Sequence, residues 1–499
     1  MKINNEAMSM SLSKTGRFGR EWSQPLRDMG IVSIASAVGL ALNFCIMLLP
    51  PVYMAQNDYG LWRIFLLYSG YGGLLHLGLV DGALIRWAGH SPADRQSEIN
   101  SNFAFLIFQQ IAFVLALGIA GSLLFGRFLP STLVWAMLIY ALLSNLFSFF
   151  QYCHQAFKSF GYFAASTLAG QGALLSGIVL LGASHRLTVG SGICVSLVSV
   201  VVSAAVALAP FRKVIRIEFD GFERMWRVGT EMIQLGFLYL AGNFSMVLFF
   251  GLDKIIVSQV YSPQKFALYA FPSTLLGTIY LLVSALTTVS FPHLSGRSIE
   301  AQTSAYGAAR SSIIIAWGAS LGGYFLLAVI IKIVLPAYAD SLQLLRILLL
   351  SVGFGSLIRS THYNYYRIGG AKSLYFLSSG ICLCFFAASL IFVTKRGGSL
   401  EQIAWCSVGA AFVWFFINEW ALRKFLRAHW CLEIARLVAG AAAFGACFWM
   451  ISALGISPVV ELLLYVGATL VVIRTMFTRE FRRAASFALH KLRLAHEAA

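Results

Sequence analysis

The 499 residues are 59% hydrophobic and only 11% charged. A soluble domain carries roughly 25% charged residues, so a soluble globular fold, a disordered chain and a nucleic-acid module are excluded. The formal charge is +17, from 37 Lys and Arg against 20 Asp and Glu, and mean hydropathy is +0.77, so where the charges fall matters more than their sum.

The chain opens with a polar tail over 1–28, followed by an apolar run over 31–53 that is too long for the core of a signal peptide and reads as a retained span. Further runs of about 20 apolar residues, the length that crosses the hydrocarbon, lie at 61–85, 103–125, 132–154, 161–182 and 189–209. A basic stretch over 211–230 interrupts them, with Arg212, Lys213, Arg216, Arg224 and Arg227 interleaved with Phe211, Phe219, Phe222 and Trp226. It reads as an amphipathic helix on the inner membrane surface. The runs resume at 231–252, 268–290, 311–334, 342–365, 373–394, 402–422, 433–453 and 458–475, and a basic tail closes the chain over 476–499. That gives fourteen spans. Backbone groups in lipid must be satisfied within the chain, and the alternation of a β-barrel is absent, so the fold class is an all-α polytopic membrane protein. Pro50-Pro51 and Pro272 are positions where spans one and eight can kink.

With the N-terminus in the cytoplasm, 27 basic residues fall on the inner side and 7 on the outer, while Arg63, Arg346 and Arg359 lie within spans. The bias places both termini inside. No joint exceeds about 20 residues, and no GxSxG, HExxH or Walker A sequence occurs, so there is no visible catalytic apparatus or cofactor motif. The eight cysteines sit in or beside apolar runs and read as small buried hydrophobes.

Asp58-Tyr59-Gly60-Leu61-Trp62 follows span one, and Lys265-Phe266-Ala267-Leu268-Tyr269 follows span seven, an offset of 207 residues and six spans. An even offset predicts two six-helix bundles in parallel repeat, over 29–210 and 231–424, with two added helices over 425–475.

The first of these segments, with Gly78-Leu79-Val80-Asp81-Gly82-Ala83, resembles the start of the bacterial polysaccharide transporters, the flippases of O-antigen and exopolysaccharide repeat units. Gly251-Leu252-Asp253-Lys254-Ile255-Ile256, then Leu268-Tyr269, then Ser290-Phe291-Pro292-His293-Leu294-Ser295 is similar to the seventh-to-eighth helix region of that family. Arg367-Ile368-Gly369-Gly370-Ala371-Lys372 resembles its joint after helix ten, and Ala267 departs from it, standing where Gly is more usual. The resemblance covers spans one to eleven. It implies membership of the wider superfamily of multidrug and lipid-linked-oligosaccharide exporters, two bundles around a central cavity, and alternating access.

On that reading the intramembrane charges are the candidate site. A charge at the bilayer centre costs about 2.5–3.5 kcal/mol on insertion scales, and a lipid diphosphate suits the planar fork of an arginine. Arg359 is first in rank. On a straight α-helix it shares a stripe with Ser356, His362, Tyr363 and Tyr366, at i−3, i+3, i+4 and i+7. The alternative is an arginine snorkelling to the inner joint. Arg346 lies 13 residues earlier, about 20 Å along the axis and about 140° around it, so the two cannot both face one cavity squarely. Arg63, near the start of span two, completes the expected substrate-binding set.

Asp81 and Glu231 are the expected ion-coupling residues, each with a structural alternative: a helix-end contact for Asp81, and hydrogen bonding between helices for Glu231 with Gln234 and Asn243. Glu419 is read as a local ion pair with Arg423, and His76 as a packed, hydrogen-bonded histidine. The expectation is therefore a flippase of the bacterial inner membrane and not an enzyme, carrying polyprenyl-diphosphate-linked oligosaccharide for surface or exopolysaccharide biosynthesis. Its partners would be that glycan, membrane lipids, and a glycan polymerase or glycosyltransferases. The rivals are a cation or drug extruder of the same superfamily and a membrane glycan polymerase.

Overall fold

A computed structural model describes residues 34–125, 130–212, 214–215, 221–294, 298–426 and 430–478. The expected terminal tails lie outside these residues, apart from 476–478 of the C-terminal one; so do Lys213 and 216–220 of the basic stretch. The described residues are helical and contain no strand. In chain order the helices are α1 (Ile34–Tyr53), α2 (Gln56–Gly70), α3 (Leu79–Trp87), α4 (Gln96–Phe125), α5 (Ser131–Ala156), α6 (Phe160–Ala183), α7 (Val189–Leu208) and α8 (Phe222–Phe249). They continue as α9 (Leu252–Val260), α10 (Pro263–Leu294), α11 (Ile299–Ser320), α12 (Gly323–Val334), α13 (Ser341–Leu357) and α14 (Tyr363–Ile368), then α15 (Lys372–Lys395), α16 (Leu400–Leu426), α17 (Trp430–Ile451) and α18 (Pro458–Met476). Among the described residues 12 helices are long and apolar enough to cross a membrane, and the bent pair α2–α3 makes 13. The eighth expected span falls on α10, so each of the fourteen apolar runs coincides with a helix or a helix pair.

Three local features differ from the sequence reading. Span two is broken, with α2 and α3 at 54° to each other, whereas α1 and α10 remain helical through Pro50-Pro51 and Pro272. The second half of the basic stretch is no separate surface helix: α8 starts at Phe222 and carries straight on as span seven, with Met225 and Val228 in the core. A short helix, α9, which apolar run length does not reveal, stands between spans seven and eight.

The chain divides into two compact units, 1–244 and 245–499. In the first, α5 is central and packs on α2, α3, α4 and α7. The break in span two is built around it. After the 3₁₀ turn Tyr71–His76, Leu77 and Gly78 both adopt left-handed φ (52° and 90°), which ends the helix before α3 restarts. The freed polar groups find partners in neighbouring helices, as lipid exposure would demand. Asn145 of α5 donates to the Gly72 carbonyl at 2.9 Å and to Gln110 Oε1 at 2.8 Å. Gln110 of α4 in turn donates to the Leu75 carbonyl at 2.9 Å. His76 Nδ1 accepts the Gly78 N–H at 3.0 Å, so His76 is a local cap.

α8 lies directly on this break. A Cβ at Gly236 would collide with the Gly78 carbonyl and the Gly82 N–H, so only hydrogen fits between the two backbones. Gly236→Ala should therefore force α8 outward and cost about 1–3 kcal/mol, the usual range for overpacking. A thermal melt of the purified protein checks this, and an unchanged midpoint would contradict the contact.

In the second unit α13 is central and packs on α10, α11, α16 and α17, while α17 and α18 pair and lean on α11 and α12. The fourth span of one unit and the tenth span thus hold equivalent places. The repeated motifs agree within each unit. Trp62 is 2% exposed and its Nε1 donates to Ser196 in α7 at 3.1 Å. Tyr269 is 0% exposed and its hydroxyl lies 3.4 Å from Ser407 in α16. Spans six and twelve stand in the same relation to the motif, which is what a parallel repeat requires.

Candidate functional site

The span Ser341–Ile368 carries Arg346, Arg359, His362 and Tyr363, and it is the most enclosed of the 12 single-helix spans among the described residues. In its most apolar stretch 83% of residues are buried, against 22–39% for the other spans tested. Arg359 is half-buried on this helix, between buried neighbours.

The span is not a uniform α-helix. Ile358–His362 forms a π turn between α13 and α14. Ser360 Oγ turns back to the Ser356 carbonyl at 2.6 Å, a bond that loosens the regular ladder. A π turn takes an extra residue per turn and commonly marks functional positions. It also dissolves the expected stripe, because partners at i+3 and i+4 no longer stand above Arg359. Arg359 points one way and His362 another. Tyr363 packs on Tyr375 of α15 at 5.4 Å between ring centroids, and Tyr366 donates to Asn418 of α16 at 3.0 Å.

The Arg359 guanidinium carbon lies 5.2 Å from the Phe250 ring centroid and 5.3 Å from that of Tyr280. Among the described residues no carboxylate is within ion-pair distance of it. It lines a cavity of about 110 Å³ together with Asp253, Lys254, Ser273, Ser351 and Ser407. The Asp253 carboxylate across the cavity is already held, by Tyr269 Oη at 2.7 Å, Ser407 Oγ at 3.0 Å and the Lys254 N–H at 2.8 Å. This is a small chamber with two cations, one tethered carboxylate, hydroxyls and aromatic faces. Chemically it suits an oxyanion, with Arg supplying a planar pair of donors and the hydroxyls further ones. Asp253 comes from α9; the sequence contained it within a quoted motif, but its burial depends on a helix that hydropathy does not show.

On the other side of the π turn is a buried ion cluster. Glu419 of α16, 1% exposed, accepts from Arg310 Nη1 at 2.7 Å and from Tyr306 Oη at 2.9 Å, and its Oε1 also lies 3.1 Å from His362 Nε2. Arg310 of α11 reaches Glu433 of α17 as well, at 3.0 Å, and stacks on Tyr306. Two readings are corrected here. Glu419 does not pair with Arg423, which stacks on Trp420 instead, because Glu419 lies on the buried face of its helix along with Asn418 and Leu422. Arg310, one of the 27 basic residues assigned to the inner side and expected in the joint before span nine, instead lies within α11 and is 4% exposed. Charge counting assigns a cation to a side of the membrane but cannot see a partner 109 residues away.

The remaining expected residues lie elsewhere. Arg346 Nη2 donates to the Trp449 carbonyl of α17 at 2.7 Å, and its guanidinium lies 3.8 Å from the Trp449 ring centroid, away from the Arg359 cavity. Arg63 and Asp81 belong to the first unit. Arg63 stands about two turns into α2, since that helix starts at Gln56. Asp81 is 8% exposed in the first turn of α3 and accepts from Tyr152 Oη at 3.4 Å. Glu231 pairs with Arg86 at 2.7 Å, and Arg86 also meets Glu98 at 3.3 Å.

No protein-family model matches the chain, and no curated protein matches its sequence. Solved structures do. The lipid II flippase MurJ in an inward closed conformation superposes with a TM-score of 0.68 at 12% identity, over 90% of this chain and 99% of that one. An inward-facing multidrug resistance MATE family transporter of the MOP superfamily superposes with a TM-score of 0.59 at 14% identity, over 81% and 99%. The chain has the fold of these transporters.

Proposed function

We propose that this protein is a flippase of the MOP superfamily that carries a polyprenyl-diphosphate-linked oligosaccharide across the bacterial inner membrane, with both termini cytoplasmic. The observation that carries the reading is Arg359, a cation enclosed within a span, facing a chamber and lacking a carboxylate partner among the described residues. An unneutralised charge at that depth costs energy and is kept where it meets an anion. A lipid diphosphate is such an anion, with the lipid chain staying in the bilayer while the glycan passes through by alternating access. A chamber of about 110 Å³ holds a phosphate-sized group and not a glycan, so it receives only the anchor. The motifs in α2, α3 and α9 that resemble the polysaccharide transporters favour repeat units for surface or exopolysaccharide as the cargo. A glycan polymerase and glycosyltransferases would then act before and after it.

Asp253 in the same chamber supports a second reading, extrusion of an organic cation. Its three hydrogen bonds already occupy that carboxylate, which favours the anion. The two readings separate on whether depletion traps lipid-linked oligosaccharide or sensitises cells to cationic drugs.

A further inference from the structure

Ser351 and Gly355 lie four residues apart on α13, and Arg359 follows four residues later in the π turn. All three meet one side chain, Tyr280 of α10, which is 5% exposed. Ser351 Oγ donates to the Leu348 carbonyl at 2.7 Å, which leaves its lone pairs to accept the Tyr280 hydroxyl, and the two hydroxyls are hydrogen-bonded. Gly355 makes room for the ring. A Cβ there would collide with Tyr280 Oη and come within 2.9 Å of Cζ. The Arg359 guanidinium carbon then lies 5.3 Å from the centroid of this ring and 5.2 Å from that of Phe250, and the two rings are 5.0 Å apart. An anchoring hydroxyl, a notch and a cation are thus set along one aromatic side chain.

We propose that Tyr280 and Gly355 are positioning residues that hold Arg359 ready for the anion it receives. A cation held by ring faces keeps its N–H groups for another acceptor, and among the described residues no protein acceptor takes those of Arg359. A carboxylate partner would fix the arginine equally well but would compete with the cargo for the same donors. The rings fix it without competing. Arginine has a long stem with many rotamers, so a guanidinium already in place loses less freedom when the anion arrives. Tyr280 performs this service only because Ser351 holds its far end and position 355 carries no side chain. The inference rests on the reading of Arg359 as the contact for the diphosphate of the cargo, and it adds the residues that set that contact.

The test is calorimetric titration of the purified full-length protein in detergent with farnesyl diphosphate, a short water-soluble polyprenyl diphosphate. Tyr280→Leu should weaken binding about tenfold, the equivalent of the ordering cost of one long side chain. Gly355→Ala should do the same by displacing the ring, and the two together should be no worse than either, because both act through one side chain. Tyr280→Phe keeps the ring face and should bind within about threefold of wild type. In an Arg359→Leu background Tyr280→Leu should have no further effect. An equal loss from Tyr280→Leu in both backgrounds would make Tyr280 merely structural and overturn the proposal; this cycle decides the matter even if Gly355→Ala folds poorly. Wild-type binding by Tyr280→Leu and Gly355→Ala, with binding lost in Arg359→Leu, would overturn this inference alone. Equal binding by wild type and Arg359→Leu, or none by wild type, would overturn the diphosphate reading and this inference with it.

Discussion

Arg359→Leu should lower transport by roughly 10- to 150-fold while leaving the protein at least as stable as before. The energetic terms nearly cancel. A lone cation within a span costs about 2.5–3.5 kcal/mol, and its contacts with Phe250 and Tyr280 return up to about 2 kcal/mol for a desolvated cation–π pair. Removing the charge should thus shift the unfolding midpoint little, or upward. Transport loses a charge-assisted hydrogen bond to the cargo, about 1.5–3 kcal/mol, equivalent to roughly 10- to 150-fold. Arg359→Lys keeps the charge and loses the fork, so it should retain partial activity. The measurement pairs a melt with a transport assay at matched expression. A stable Arg359→Leu variant with wild-type transport would remove Arg359 from the mechanism. A variant that fails to fold would show the arginine to be structural.

The second large effect is the opposite in kind. Glu419→Ala should destabilise the second unit by about 3–5 kcal/mol, because it leaves Arg310 and Tyr306 without their shared buried acceptor. Arg310 keeps only Glu433, whose side chain is 57% exposed and so the weaker partner. The double variant Glu419→Leu/Arg310→Leu removes both charges together and should be more stable than Glu419→Ala, since replacing a buried pair is cheaper than breaking one. Thermal melts of the single and double variants check the order. A single variant as stable as wild type would mean that the cluster contributes nothing to the fold.

Much of the architecture is legible in the sequence because the bilayer imposes a length: every apolar run of about 20 residues lies on a helix. Breaks and re-entries are less visible. The break in span two depends on two left-handed residues, Leu77 and Gly78, and on Asn145 and Gln110 arriving from other helices. The last two are not local in sequence. The α9 helix is nine residues long and was hidden in a joint, and it brings Asp253 to the chamber. For the site, composition singles out Arg359 because an arginine in an apolar run is conspicuous. Its expected neighbours presuppose an ideal α-helix, and one π turn sends His362 to Glu419 instead. Arg310 and Glu419 illustrate the limit of local pairing rules: each has a nearer charged residue in the chain, but the partner is 109 positions away across a helix interface.

The central claim, a lipid-linked oligosaccharide as cargo, is tested most directly by depleting the protein in its host and quantifying lipid-linked oligosaccharide and surface glycan in the same cells. The account predicts accumulation of the lipid-linked unit together with loss of the polymer, both restored by the wild-type gene and not by the Arg359→Leu variant. Unchanged glycan with new sensitivity to cationic drugs would contradict it and point to the extruder.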